Sequence, residues 1–130
     1  MAAVQDRPTA SELLETIAGL LEDDVLPAMQ GGLQHGVRVA GNLCRILERE
    51  ARLGPAQEAR EVELLAGALG EPPAGRDALA LSHALVARLD AGHDAALERR
   101  AYRALVEIVR GKLAIAKPGH DAYDFGPELA

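Results

Sequence analysis

Apolar residues recur along this chain with the 3.6-residue period of an α-helix, and no segment shows the two-residue alternation of a β-strand. The pattern predicts five helices, at about residues 9–27, 33–53, 55–69, 77–90 and 94–116. Thr9 and Glu12 have the spacing of a capping box, and Asp94 stands where an N-cap belongs. The predicted fold is therefore all-α, a compact bundle of about five helices with short loops.

Glycine and proline mark the predicted breaks between these helices. Gly31 and Gly32 make the first turn, and Gly54 has the position of a left-handed residue that closes a helix before Pro55 begins the next. The segment 71–75 reads as a rigid turn, and residues 117–119 stop the last helix. We therefore expect one helical-bundle domain over residues 1–118 and a loose, flexible C-terminal tail over residues 119–130.

The second predicted helix has two different sides. At 100° per residue one side is small and apolar, and we expect it to meet the core with Leu47 near its centre. That core face consists of Leu33, Val37, Ala40, Cys44, Leu47 and Ala51. Roughly opposite lies a set that we call the polar stripe: His35, Arg38, Asn42, Arg45 and Arg49. The stripe is either a solvated face or a protein interface, where arginine is enriched.

The last predicted helix carries a row of basic residues beside a wide apolar arc. We call Arg99, Arg103, Arg110 and Lys117 the basic row. Such a row is usually a solvated helix face, and the other hypothesis is that it contacts the phosphates of a nucleotide or of coenzyme A.

Composition narrows the functional classes. The net charge of −6 argues against nucleic acid, because binding to phosphates needs a basic face. Only three residues are aromatic, so the core must be built from Leu, Val, Ile and Ala. The single cysteine, Cys44, excludes an internal disulfide, and neither a secretory signal nor an 18-residue apolar run is visible. We expect a cytoplasmic protein with no membrane contact.

Recognised catalytic and metal-binding patterns are missing from the sequence. It contains no phosphate-binding P-loop, no GxSxG elbow, no HExxH and no CxxC. The four histidines, His35, His83, His93 and His120, never pair at a spacing of three or four residues. We therefore expect no catalytic residue, no metal and no cofactor in this chain.

Three segments carry a resemblance to a known protein family. RPTASELLETIAGLLEDDVLP (residues 7–27), HGVRVAGNLCRILEREARLGP (residues 35–55) and KLAIAKP (residues 112–118) resemble short bacterial helical proteins. The genes of that family sit beside an aminoglycoside-phosphotransferase-like kinase and an acyl-CoA dehydrogenase. The matching positions are His35, Arg38, Val39, Ala40, Asn42, Arg49, Glu50, Leu53, Gly54, Pro55, Lys112, Leu113 and Pro118.

The resemblance implies a function through a partner. In the family, the best-understood type is the small accessory subunit of a 4-hydroxyacyl-CoA kinase pair in levulinate catabolism, whose large subunit carries out the phosphoryl transfer. By this resemblance the chain is a non-catalytic accessory subunit that binds the kinase through the polar stripe and meets acyl-CoA only through that partner. The alternatives are a small acyl-CoA or nucleotide binding protein that uses the basic row, and a self-associating helical protein without a ligand.

Overall fold

The structure is a computed structural model that describes residue 4 and residues 6–120. Its four α-helices are α1 (Ala10–Gly19), α2 (Gly32–Leu69), α3 (Ala78–Asp90) and α4 (Ala95–Ala116). A π-helical turn (Leu20–Val25) and a 3-10 turn (Leu26–Ala28) follow α1 directly. No strand occurs in this described part of the chain, so the predicted all-α class is confirmed.

The predicted number of five helices is wrong, because the second and third predicted helices are one. Helix α2 continues through Gly54 and Pro55 for 38 residues. Proline cannot donate the hydrogen bond that the carbonyl of Ala51 would receive, but this removes only one bond from a long helix. Strong helix formers on both sides, from Glu48 to Arg52 and from Ala56 to Ala59, sustain the helix across this defect.

The chain forms two compact units, Met1–Gly54 and Pro55–Ala130, which meet at this same dipeptide. The predicted flexible tail lies outside the described residues except for Gly119 and His120, and the single-domain organisation of residues 1–118 stays a prediction.

Local sequence signals set the helix starts as expected. The side chain of Thr9 accepts a hydrogen bond from the backbone N–H of Glu12 at 3.1 Å, and the Glu12 carboxylate accepts one from the Thr9 backbone at 2.8 Å. Asp77 caps α3 by accepting from Ala80, and Asp94 caps α4 by accepting from Ala96 and Leu97. The backbone donor of Leu97 holds the pKa of Asp94 below its ordinary value.

The second unit has a core of its own, made from the last part of α2, α3 and α4. Its buried residues are Leu65, Ala66, Ala68, Leu69, Leu81, Leu85, Leu97, Ala101, Ala104 and Ile108. All are leucine, isoleucine or alanine, as the scarcity of aromatic residues predicts. Small alanines on α2 and α4 allow the helix backbones to approach closely, and leucines fill the remaining space.

Two arginines hold the carboxyl end of α2 inside this unit. Arg88 donates to the carbonyl of Leu69 at 2.6 Å, and Arg100 donates to that of Ala68 at 3.2 Å. Gly70 takes a left-handed φ of 71°, and Glu71 donates back to Ala66. The end of α2 therefore has partners for carbonyls that a helix leaves unpaired, and the guanidinium charges suit the negative end of its dipole.

The first unit is a helical hairpin, which we define as residues 10–54. Ser11 contacts Glu48 and Glu22 contacts Arg45, so α1 and the first part of α2 run antiparallel. The prediction that the core face in the first part of α2 is buried is wrong. Leu47 is 53% exposed and Leu33 is 70% exposed, whereas Gly41, about a quarter-turn away, is buried. Periodicity finds an apolar face, but a pair of helices buries only the line along which they touch.

The core of the second unit gives a direct test of the fold. We expect Leu81→Ala to lower the free energy of unfolding by about 2–5 kcal/mol, because Leu81 is fully buried and its truncation leaves a cavity. Leu79→Ala on the same helix is the matched control, since Leu79 is 64% exposed and its loss should cost about 0.5 kcal/mol or less. Chemical denaturation followed by circular dichroism measures both. Equal losses for the two variants would contradict this core assignment.

Candidate functional site

The polar stripe lies on the part of α2 that belongs to the hairpin, and a glycine in this part makes room for the side chain of Glu22. Gly41 is buried, and a Cβ atom placed there would lie 3.3 Å from Cγ of Glu22. The absence of a side chain therefore lets Glu22, in the π-helical turn, lie across α2 at this position. Gly36, earlier in the same helix, would have nothing within 4 Å of a Cβ atom and serves no such contact.

One member of the polar stripe, Arg45, forms an ion pair within the hairpin, next to Gly41. It is therefore occupied and is not a candidate contact for a partner. Arg45 donates from Nε to Oε1 of Glu22 at 3.2 Å and from Nη2 to Oε2 at 2.9 Å. This two-point hydrogen bond holds the pKa of Glu22 below its ordinary value and raises that of Arg45. Arg45 therefore joins α1 to α2 within the hairpin.

A second polar contact joins the start of α1 to α2. The hydroxyl of Ser11 on α1 and the Nε of Arg52 both donate to Oε1 of Glu48, each at 2.8 Å. These two donors, Arg52 first and Ser11 second, hold the pKa of Glu48 below its ordinary value. Sequence reasoning missed Ser11, Glu22 and Glu48, because these contacts join residues 23 and 37 positions apart and leave no local pattern.

Three members of the polar stripe form an open surface. His35, Arg38 and Asn42 are exposed, whereas Arg49 is half-buried. Val39 and Leu43 lie beside them on the same helix and are exposed as well. We call the five exposed residues, His35, Arg38, Val39, Asn42 and Leu43, the stripe surface. It combines directed hydrogen-bonding groups with aliphatic side chains, which is the mixture that protein interfaces use.

The basic row on α4 does not gather its charges at one point. Arg99 and Lys117 are exposed but lie 18 residues apart, which is about 27 Å along a helix. Arg110 donates to Glu107 at 3.0 Å, and Arg60 of α2 lies 3.5 Å from the same carboxylate. Within the described residues, the four cations of the basic row therefore do not converge on a single phosphate.

Arg103 lines a shallow groove of about 340 Å³ between the last part of α2 and α4. The groove is lined by Glu63, Leu64, Gly67, Ala68, Arg100, Arg103, Ala104 and Glu107. Its floor is made of small apolar residues, and its arginines are matched by two carboxylates. Because Arg100 is already bound to the α2 carboxyl end, the groove offers little positive charge to an anionic ligand.

The described part of the chain has neither a metal-binding cluster nor a helix that could span a membrane. No three histidine, cysteine, aspartate or glutamate side chains among residues 4 and 6–120 are grouped so that they could hold a metal ion. No helix over the same residues has the length and apolarity that a membrane span requires.

Comparison with known families identifies the chain at the level of a domain family. A model described as Domain of unknown function (DUF6285) matches residues 27–120, and the chain belongs to this family. The match includes all of α2, α3 and α4, and with them the stripe surface and the basic row. No curated protein and no solved structure matches the chain.

The pairing of Glu22 with Arg45 makes a prediction about pH. A carboxylate whose pKa is lower in the folded state stabilises the fold above its ordinary value of 4.5, and this stabilisation is lost as the pH falls below that value. Glu22→Gln should therefore lower the melting temperature at about pH 7 and reduce its further loss on acidification to about pH 3. Circular dichroism melts at both pH values measure the effect.

Asp24→Asn, two residues further along, is the matched control because Asp24 is exposed. If Glu22→Gln and Asp24→Asn melt alike at both pH values, the contact between Glu22 and Arg45 does not stabilise the hairpin.

Proposed function

We propose that this chain is a non-catalytic accessory subunit of an aminoglycoside-phosphotransferase-like kinase that phosphorylates a hydroxyacyl-CoA. The kinase carries the catalytic groups, and this chain acts by protein contact in the cytoplasm. Support comes from the resemblance of residues 7–27, 35–55 and 112–118 to such accessory subunits, and from the exposure of the stripe surface on α2.

The observation that carries the proposal is the composition of the stripe surface. Arg38 and Asn42 are one helical turn apart and exposed, so both can reach the same partner surface. Exposed Val39 and Leu43 beside them supply apolar area that a partner can cover. Interfaces concentrate their binding energy in a few such residues, arginine prominent among them, surrounded by contacts that exclude water.

An accessory subunit of this kind changes activity by binding one state of the kinase more tightly than another. A preference of about 1.4 kcal/mol for the active state raises the ratio of active to inactive kinase tenfold. Two or three contacts of the strength that single interface residues provide are enough for this effect. The small chain therefore needs no nucleophile, base or metal of its own to be required for the reaction.

The stripe surface gives the main test of the proposal. Arg38→Ala and Asn42→Ala should each weaken binding to the kinase by about 1 kcal/mol or more, and their melting temperatures should stay close to that of the unchanged chain. Titration calorimetry against the purified kinase, with kinase assays in the presence and absence of each variant, measures binding and activation. Arg99→Ala is the matched control, an exposed arginine on α4.

The outcomes separate the alternatives. Loss of binding only in Arg99→Ala would move the contact to the basic row. Unfolding of Arg38→Ala or Asn42→Ala would show that these residues maintain the hairpin. If the chain neither binds the kinase nor changes its rate, the accessory function itself is wrong.

The purified chain should not turn over ATP or phosphorylate a hydroxyacyl-CoA by itself. The sequence carries no phosphate-binding loop, and the basic row is spread along α4 and partly neutralised by Glu107. A coupled assay for ADP release measures this. Turnover that a point substitution in this chain abolishes would contradict the non-catalytic function, whereas turnover that persists in every variant would indicate a contaminating enzyme.

A further inference from the structure

The hairpin has almost no interior of its own. Among its residues only Ala18 and Gly41 are buried. Its large aliphatic side chains remain exposed at Leu13, Ile17, Leu20, Leu33, Val39, Leu43 and Leu47. The second unit, by contrast, encloses leucines from three helices. A helix as short as the ten-residue α1 is only marginally stable in water by itself, so a pair of helices with so little burial gains stability from a further apolar surface.

The apolar residues of the two helices lie on the same side of the hairpin. On α1 and its π-helical turn, Leu14, Ile17 and Leu21 lie about 40° to 100° around the helix from the contact line at Ala18, all in one rotational sense. On α2, Leu33 and Leu47 lie roughly 90° from Gly41 in the same rotational sense. Because the helices are antiparallel, equal rotations place both sets on one side. We call these five residues, together with Ala40 between the two α2 leucines, the apolar side.

Most of the charged residues on the outer surfaces of the hairpin lie on the opposite side. On α2 this side carries the polar stripe, and on α1 it carries Glu12 and Asp23, by the same helical projection. By the same projection Asp24, at the end of this segment, falls on the apolar side. The six residues that define the apolar side are all aliphatic, so it offers mainly buried area and few directed hydrogen bonds by which it would select a different protein.

We propose that the apolar side binds the apolar side of a second copy of this chain, so that two hairpins form a four-helix bundle. A two-fold axis running along the helices would place α1 of one copy against α2 of the other, with every neighbouring pair antiparallel. This is the arrangement of an up-and-down bundle, in which each helix buries an apolar stripe against two neighbours. Two identical aliphatic surfaces are complementary without any pairing of charges.

The estimated area of the apolar side is large enough for an interface with a second copy of the chain. Helix α1 and its π-helical turn contain ten and six residues, and this length corresponds to about 24 Å. Two helices, each about 10 Å wide, then present about 500 Å² per copy, and the pair buries about 1,000 Å². This value reaches the lower limit for a specific interface and corresponds to a reversible dimer.

The test is sedimentation of the full-length chain over a concentration series from about 1 to about 200 µM, together with its melting temperature at each concentration. The unchanged chain should show a monomer–dimer equilibrium and a melting temperature that rises with concentration. Leu47→Gln and Ile17→Gln, on different helices of the apolar side, should each raise the dimer dissociation constant at least tenfold. Leu79→Gln is the matched control, since Leu79 is an exposed leucine in the second unit and should leave dimerisation unchanged.

Circular dichroism at the lowest concentration separates dimer loss from unfolding. Retained helicity in monomeric Leu47→Gln or Ile17→Gln supports the proposal. Loss of helicity in both variants at concentrations where the unchanged chain is a folded monomer would overturn it, because the apolar side would then be covered within one chain. A monomer throughout the series would overturn it too, and so would variants that dimerise as tightly as the unchanged chain.

Discussion

Two antiparallel helices touch along a single line, and this constraint governs the first unit of the molecule. Along that line Ala18 and Gly41 are buried, Glu22 in the π-helical turn pairs with Arg45, and Ser11 at the start of α1 pairs with Glu48. Both polar contacts are partly exposed to water, where charge interactions contribute little to stability. The rest of each helix surface is left uncovered by its neighbour.

The two units therefore differ in what their side chains contribute. In the second unit, leucines and alanines from three helices fill a common core, and Arg88 and Arg100 complete the end of α2. Most of its sequence is explained by folding alone. In the hairpin, the apolar and polar sides are both exposed, so residues such as Leu47 and Arg38 contribute little to burial within the described chain. Folding of the described chain does not by itself explain their arrangement, and the two proposed contacts would.

The features that sequence reasoning predicts correctly are local ones. The predicted caps at Thr9 and Asp94 each involve a side chain and a backbone group two or three residues away, so their spacing is visible in the sequence. The continuity of α2 is not visible in this way. A glycine followed by a proline is a strong break signal, and it is overcome here by the summed helix propensity of both flanks.

The candidate site also shows that sequence patterns predict local features but not contacts between distant residues. Helical projection identifies the polar stripe, but it cannot show that Glu22 engages Arg45 and leaves His35, Arg38 and Asn42 exposed. It identifies the apolar faces of α1 and α2 as well, yet periodicity reports only which residues avoid water. Whether a third helix, a second copy or another protein covers them depends on tertiary and quaternary structure, which a one-dimensional pattern does not contain.

The two proposed contact surfaces, the stripe surface and the apolar side, differ in how much of each lies within the family domain. The stripe surface lies wholly within residues 27–120, the range that matches the family model. The apolar side takes Leu14, Ile17 and Leu21 from α1 and its π-helical turn, which precede that range. Binding to a kinase through α2 can therefore be a property of the family domain itself, whereas pairing of two copies also requires the α1 segment. Because His35, Arg38 and Asn42 project to the other side of the hairpin from the apolar side, a dimer formed through the apolar side leaves these three polar residues of each copy open to a partner.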